Sequence, residues 1–179
     1  MVKEVYDIVR KAGGTKKNYD SKDTTPIETV KDCLSFIKFE PDDIVADAGS
    51  GKEKVWFNEI PVKNKMAFEL MEGEDFLKYD KPLDWVVGNP PFHEWLEFMF
   101  HSSKICRKGF CFLINHTRLN QLTTKRLWLL EQEGFYLNCF RIVDVKKWFG
   151  RYYFLVFTRE KSKVISYSYK GRDRHDNKQ

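Results

Sequence analysis

The sequence predicts a single α/β domain, a mostly parallel sheet with helices on both faces and an antiparallel strand pair at its C-terminal side. Three observations predict it. Short apolar strands alternate with helical segments from residue 25 to residue 133. The inner strands, LDWVV at 83–87 and GFCFLIN at 109–115, are nearly all apolar, as strands covered on both faces are. The last two strands, 135–143 and 152–158, leave no room for a helix between them and are expected to pair antiparallel.

Each element has its own reason. Val2, Val5, Tyr6 and Val9 recur at helical spacing, so 2–12 is read as a short helix, ended by Gly13-Gly14 and followed by a polar loop over 15–24. Thr25-Pro26-Ile27-Glu28 has the residues of a capping box: Thr25 at the N-cap, Pro26 at N1, Glu28 at N3. The helix it opens is expected to reach about Lys38 and to bury Ile27, Val30, Leu34 and Ile37. Strands at 42–47 and 65–70 flank a helix at 52–60. The strand at 83–87 runs into Gly88-Asn89-Pro90-Pro91-Phe92, and a helix follows from about His93 to Ile105. A helix over 120–133, closed by Gly134, and the two aromatic strands complete a domain over 1–160. The remaining 161–179 is a polar, basic tail that is expected to fray.

At 179 residues and 42% hydrophobic content the chain can bury one ordinary core. No apolar run approaches the ~20 residues of a membrane span. The N-terminus lacks the apolar centre of a signal peptide, so a cytoplasmic chain without membrane contact is expected. Cys33, Cys106, Cys111 and Cys139 form neither a CxxC pair nor a zinc spacing; they read as free thiols, and no metal is expected. The net charge of +5 is concentrated at the ends. Residues 159–179 hold seven Lys/Arg against three Asp/Glu, and residues 1–22 hold six against three. Basic ends around a near-neutral body suit a polyanionic partner; solvated ends without a partner account for the charges equally well.

VADAGSGKEK, residues 45–54, ends the first long strand and admits two readings. A phosphate loop needs a glycine where Ala46 stands and a hydroxyl where Glu53 stands, so that reading fails. Acid-x-Gly-x-Gly fits instead, as Asp47-Ala48-Gly49-Ser50-Gly51. Gly49 and Gly51 let a ligand approach the backbone, and Asp47, at the carboxyl end of a strand, can hold an ammonium group. Asn89-Pro90-Pro91-Phe92, 38 residues after Gly51, adds a second signal. Two prolines fix two φ angles and remove two N–H donors, so an amide, a rigid carbonyl and an aromatic face project together.

DAGSG followed by NPPF resembles the Rossmann-like S-adenosylmethionine-dependent methyltransferases, in the branch that methylates exocyclic or amide nitrogens, whose largest group acts on adenine N6. The resemblance covers about residues 19–160. It implies S-adenosylmethionine as cofactor. Tyr19, Thr25 and Pro26 match the segment at its methionine end; Asp47, Gly49 and Gly51 match the cofactor loop. Glu69 matches the acid on the ribose hydroxyls, and Asp75-Phe76 the pair at the cofactor adenine, with Glu72 and Glu74 as competitors for both acidic roles. Asn89, which also borders the cofactor, and Pro90, Pro91 and Phe92 match the catalytic loop. One departure stands out. The family has a helix and a strand between the ribose acid and the Asp-Phe pair, whereas Glu69 and Asp75 are six residues apart; either that connection is deleted or one acid is misassigned.

The resemblance implies a chemistry. The Asn89 side-chain oxygen and the Pro90 carbonyl each accept an N–H of the target amine and turn its lone pair toward the methyl, while Phe92 stacks on the base. His93 is a candidate assistant or a plain surface residue. Such a base must be unpaired or flipped. Trp148, Phe149 and Arg151 are candidate nucleic-acid contacts, or else core and turn residues; His116-Thr117-Arg118 is a second rim candidate. The expected function is methylation of adenine N6 in nucleic acid, with DNA slightly favoured; target recognition is left to loops, the basic tail or a partner chain, either a recognition subunit or a second copy of this chain. Structured RNA, a protein glutamine, and a non-catalytic nucleic-acid-binding subunit remain as alternatives.

Overall fold

The computed structural model describes residues 24–145 and 147–165. The helix expected at 2–12, Tyr19, and most of the basic tail lie outside the described residues. The strands are β1 (Val45–Ala48), β2 (Lys65–Phe68), β3 (Leu83–Gly88), β4 (Cys106–Asn115), β5 (Tyr136–Val143) and β6 (Tyr152–Thr158). They form one sheet in the order β2-β1-β3-β4-β6-β5. β1 pairs parallel with β2 and β3, and β3 pairs parallel with β4. β6 runs antiparallel to both β4 and β5. The expected fold class is the one observed.

Helices α1 (Ile27–Leu34) and α2 (Val55–Glu59) cover one face; α3 (Trp95–Ile105) and α5 (Thr124–Gln132) cover the other; α4 (His116–Leu119) is a single turn after β4. On the first face Val30, Cys33 and Trp56 meet Val87, Cys111 and Phe154. On the second, Trp95, Met99 and Leu130 meet Phe110, Phe112 and Phe157. Every residue of β3 is buried, which explains its apolar run. The four cysteines are free thiols, three of them buried. Among the described residues no helix is long and apolar enough to cross a membrane.

Several expectations are corrected. α1 ends at Leu34 rather than Lys38, because Phe36 and Ile37 turn back onto Cys33 and Leu34 with tight i→i−3 bonds. Ile27 is half exposed rather than buried. Thr25 makes no capping box: Pro26 is the N-cap, without a side-chain cap, and the Thr25 hydroxyl is engaged elsewhere. The helix expected over 120–133 begins only at Thr124, as α5, with Thr123 capping it through the Arg126 N–H; the turn α4, just before that span, was not expected.

The sheet order places the site. From β1 the chain turns to one side for β2 and returns to the other side for β3. The loops leaving β1 and β3 therefore go to opposite faces of the sheet at its carboxyl edge, the place where open α/β sheets bind ligands. Those two loops are DAGSG and NPPF.

Candidate active site

Asp47 is fully buried near the end of β1. Its Oδ2 accepts the Phe57 N–H at 2.9 Å, from the first turns of α2, while its Oδ1 is buried without a partner. Burial pushes the carboxyl up to about 8; the Phe57 N–H opposes the rise, the charge of Glu69 adds to it, and the Lys54 ammonium opposes it. A buried carboxyl with one free oxygen ionises more readily once a cation lies beside it.

The two motifs touch. A Cβ placed on Gly49 would sit 3.2 Å from Pro91 Cδ and 3.5 Å from Pro90 Cα, and Gly49 has φ +76°, so glycine is required there on two counts. Gly88, just ahead of Asn89, is equally constrained: its Cβ would lie 2.7 Å from the Ala48 carbonyl oxygen and 3.2 Å from Asp47 Oδ1. Gly51 differs, because no atom lies within 4 Å of where its Cβ would be. The loop is thus tight against the prolines at Gly49 and open at Gly51.

Asn89 is held from behind. Its Nδ2 donates to Thr25 Oγ1 at 3.3 Å, and the same oxygen accepts the Trp56 indole N–H at 3.1 Å. Thr25 is buried, so these bonds fix the amide and leave Asn89 Oδ1 buried without a partner. The Pro91 carbonyl is used by the Glu94 N–H at 2.9 Å. Among the described residues no hydrogen bond falls on the Pro90 carbonyl. Phe92 is half-buried against the α1–α2 face of the core. His93 lies 3.5 Å from the Glu94 carboxylate at the surface.

The β2 side is unusually short. Glu69 caps a one-turn 3₁₀ helix, Leu70–Glu72, by accepting the Met71 N–H, and its other oxygen accepts the Gly51 N–H at 2.8 Å. A second 3₁₀ turn, Phe76–Lys78, follows directly, capped by Asp75 through the Leu77 N–H. These two turns stand where the resemblance led one to expect a helix and a strand. Lys54, in the left-handed region at φ 49°, reaches back to Glu72 at 2.6 Å. Glu74 is exposed. Phe76 is 2% exposed, packed among Phe68, Phe98 and His101, so its ring lies in the core rather than open to the crevice.

The β5–β6 turn forms another part of the same edge. Trp148 packs on Tyr152 at 4.9 Å and against the core, whereas Phe149 is 98% exposed and Arg151 is exposed. The Arg151 carbonyl accepts the His116 N–H at 2.8 Å, joining this turn to α4. Asn115 caps α4 through the Arg118 N–H, and Thr117 bonds the same Asn115 oxygen. Lys147 donates to the Thr24 carbonyl at 3.4 Å, next to the Thr25 that holds Asn89.

The structure therefore brings Thr25, Asp47, Gly49, Gly51, Glu69 and the Asn89–Pro91 segment to one crevice. Sequence reasoning missed Gly88, Trp56 and Lys54 there. Gly88 had a signal, standing directly before Asn89; Trp56 had none, being 31 residues from the threonine it bonds.

No protein-family model matches the chain, and no curated protein matches it by sequence. Solved structures match it by shape. The precorrin-6y C5,15-methyltransferase of Geobacter metallireducens GS-15 is 16% identical, with a TM-score of 0.59 over 81% of this chain and 95% of that one. The ribosomal protein L11 methylase of Lactobacillus delbrueckii subsp. bulgaricus is 12% identical, with a TM-score of 0.58 over 74% and 78%. The magnesium protoporphyrin IX methyltransferase of Synechocystis PCC 6803, with bound S-adenosylmethionine, is 14% identical, with a TM-score of 0.56 over 87% and 91%. The substrates in these names differ, so the fold by itself selects none of them. The chain has the Rossmann-like fold of the class I S-adenosylmethionine-dependent methyltransferases.

Proposed function

We propose that this chain is an S-adenosylmethionine-dependent methyltransferase acting on the exocyclic N6 of adenine in nucleic acid, with DNA slightly favoured over RNA. One observation carries the reading: the acid-x-Gly-x-Gly loop is packed directly on Asn89-Pro90-Pro91, with Asp47 Oδ1 and Asn89 Oδ1 left as buried acceptors without partners.

The residues fit the cofactor. Asp47 offers a carboxylate oxygen to an ammonium group, and the open space at Gly51 admits a ligand against the backbone. Glu69 is the acid bonded to the glycine loop, and each of its oxygens keeps a lone pair for a ribose hydroxyl, which favours it over Glu72, tied to Lys54. When bound, S-adenosylmethionine supplies a methyl group on a sulfonium, a good leaving group. Asn89 Oδ1 and the Pro90 carbonyl accept the two N–H bonds of the target amine, drawing its lone pair out of conjugation with the ring. Thr25 and Trp56 hold the Asn89 amide so that its oxygen faces the substrate. Phe92 stacks on the target base. Asn89 is a neutral acceptor and a weak base, so the amine proton leaves to water after transfer.

Two variants test the reading. Asn89→Ala is expected to lower methyl transfer from labelled S-adenosylmethionine to nucleic acid by about 100-fold, the scale of a lost positioning contact. Asp47→Ala is expected to weaken S-adenosylmethionine binding several-fold or more in titration calorimetry. Wild-type protein that binds no S-adenosylmethionine would overturn the enzyme reading in favour of a non-catalytic subunit.

A further inference from the structure

We propose that Phe149 is the ring on which the base beside the target adenine stacks. This rests on the function proposed above and adds a specificity residue to it.

Phe149 is 98% exposed, a whole phenyl ring given to water in a chain whose other rings mostly lie in the core. Its turn is nonetheless well held. Trp148 before it is anchored on Tyr152 at 4.9 Å and by its own N–H to the Val145 carbonyl at 2.9 Å. Gly150 after it has φ +96°, and a Cβ there would lie 2.9 Å from the His116 ring, so neither the conformation nor the space admits another residue. Arg151 is tied to α4 by the 2.8 Å bond from His116. A fixed turn that presents one aromatic ring to solvent is shaped for a flat partner.

Position and charge say which partner. β5 runs parallel to β1 and β3, so the turn that leaves it stands at the edge holding DAGSG and NPPF. Lys147 meets the Thr24 carbonyl, and the next residue, Thr25, holds Asn89. Lys147 and Arg151, on either side of Phe149, are both exposed. Arg118, on the adjoining α4, has a buried Nε without a partner. A flat apolar face among cations matches a base with its phosphates; the exposed Phe140 and Ile142 lie ahead of the turn, on β5. Phe92, half-buried beside Asn89, can wall a pocket for the target, whereas Phe149 leaves its whole ring to solvent and can cap a neighbouring base. Trp148 is scaffold in this scheme.

The test uses the full chain with wild type, Phe149→Ala and Phe149→Trp. Random-sequence single-stranded DNA and RNA oligonucleotides carry 2-aminopurine beside adenine, and methyl transfer and fluorescence are read together. Phe149→Ala is expected to lower kcat/KM by about tenfold, in the lower half of what base stacking on an aromatic contributes. The loss is expected in KM, with S-adenosylmethionine affinity unchanged by calorimetry. The 2-aminopurine quench seen with wild type should vanish in Phe149→Ala and return in Phe149→Trp. Active wild type with an equally active, equally quenching Phe149→Ala overturns this inference alone. Wild type that binds S-adenosylmethionine yet methylates none of these oligonucleotides overturns the nucleic-acid reading and this inference with it.

Discussion

Asp47 is where the electrostatics of the site are most exposed to measurement. Its carboxyl sits at about 8, raised chiefly by burial, against an ordinary value near 4 in the unfolded chain. The folded state therefore holds a proton that the unfolded state has lost between those two values. The stability this adds is fully present below about pH 4 and is lost as pH rises to about 8. The thermal midpoint of the free protein is expected to fall over that window through this group, and Asp47→Asn, which keeps an oxygen for the Phe57 N–H, should flatten the fall in scanning calorimetry. An equal slope in both proteins contradicts the burial assigned to Asp47. Binding of a cation has the opposite sign: it favours the ionised carboxylate, so cofactor affinity should rise toward pH 8. The place of Asp47 near the end of a strand was legible; its unpartnered oxygen was not, because that depends on which backbone groups α2 brings near.

At the scale of elements, the two motif loops are one unit. Gly49 is packed on the prolines and Gly51 faces open space, so the same substitution should act differently at each. Gly49→Ala must push Pro91 aside and hold a left-handed alanine, which costs about 1–2 kcal/mol from the backbone alone. It is expected to lower Tm by about 2–8 °C and to impair methyl transfer. Gly51→Ala carries only the backbone cost, yet places a methyl where the ligand should lie, so its larger effect should be on S-adenosylmethionine affinity. Equal binding by Gly51→Ala and wild type would remove the ligand from that space. The short connection after β2 explains Lys54 in the charged run that follows the glycines. Lys54 is the N-cap of α2 and clasps Glu72 in the first 3₁₀ turn, while Glu69 holds the Gly51 N–H. Glycine loop and shortened connection are thereby tied together. The six-residue spacing of Glu69 and Asp75 left a deletion or a misassigned acid open from sequence; the clasp needed the fold, since Lys54 and Glu72 meet only across neighbouring strand ends. The capping box failed for a related reason: Thr25 has the right residue type, but its hydroxyl is recruited by Trp56 and Asn89 from distant segments.

For the whole molecule, strand type and pairing followed from local rules. Apolar runs marked the buried parallel strands, and the short gap before β6 dictated its antiparallel direction. Element ends were less legible, as at α1 and α5, where a turn of tight bonds or a side-chain cap decides the boundary. The substrate is least legible, because the fold is shared by methyltransferases named for a corrin precursor, a ribosomal protein and a porphyrin. Only the crevice residues discriminate, and the most direct test is the identity of the methylated product. Wild type and Asn89→Ala should be incubated with methyl-labelled S-adenosylmethionine and, separately, duplex DNA, single-stranded DNA, total RNA and protein, then the products digested to nucleosides or amino acids and separated. The account predicts label in N6-methyladenine nucleoside from wild type, and almost none from Asn89→Ala that still binds the cofactor. Label in glutamine or in any other base, or equal labelling by the two proteins, would contradict it.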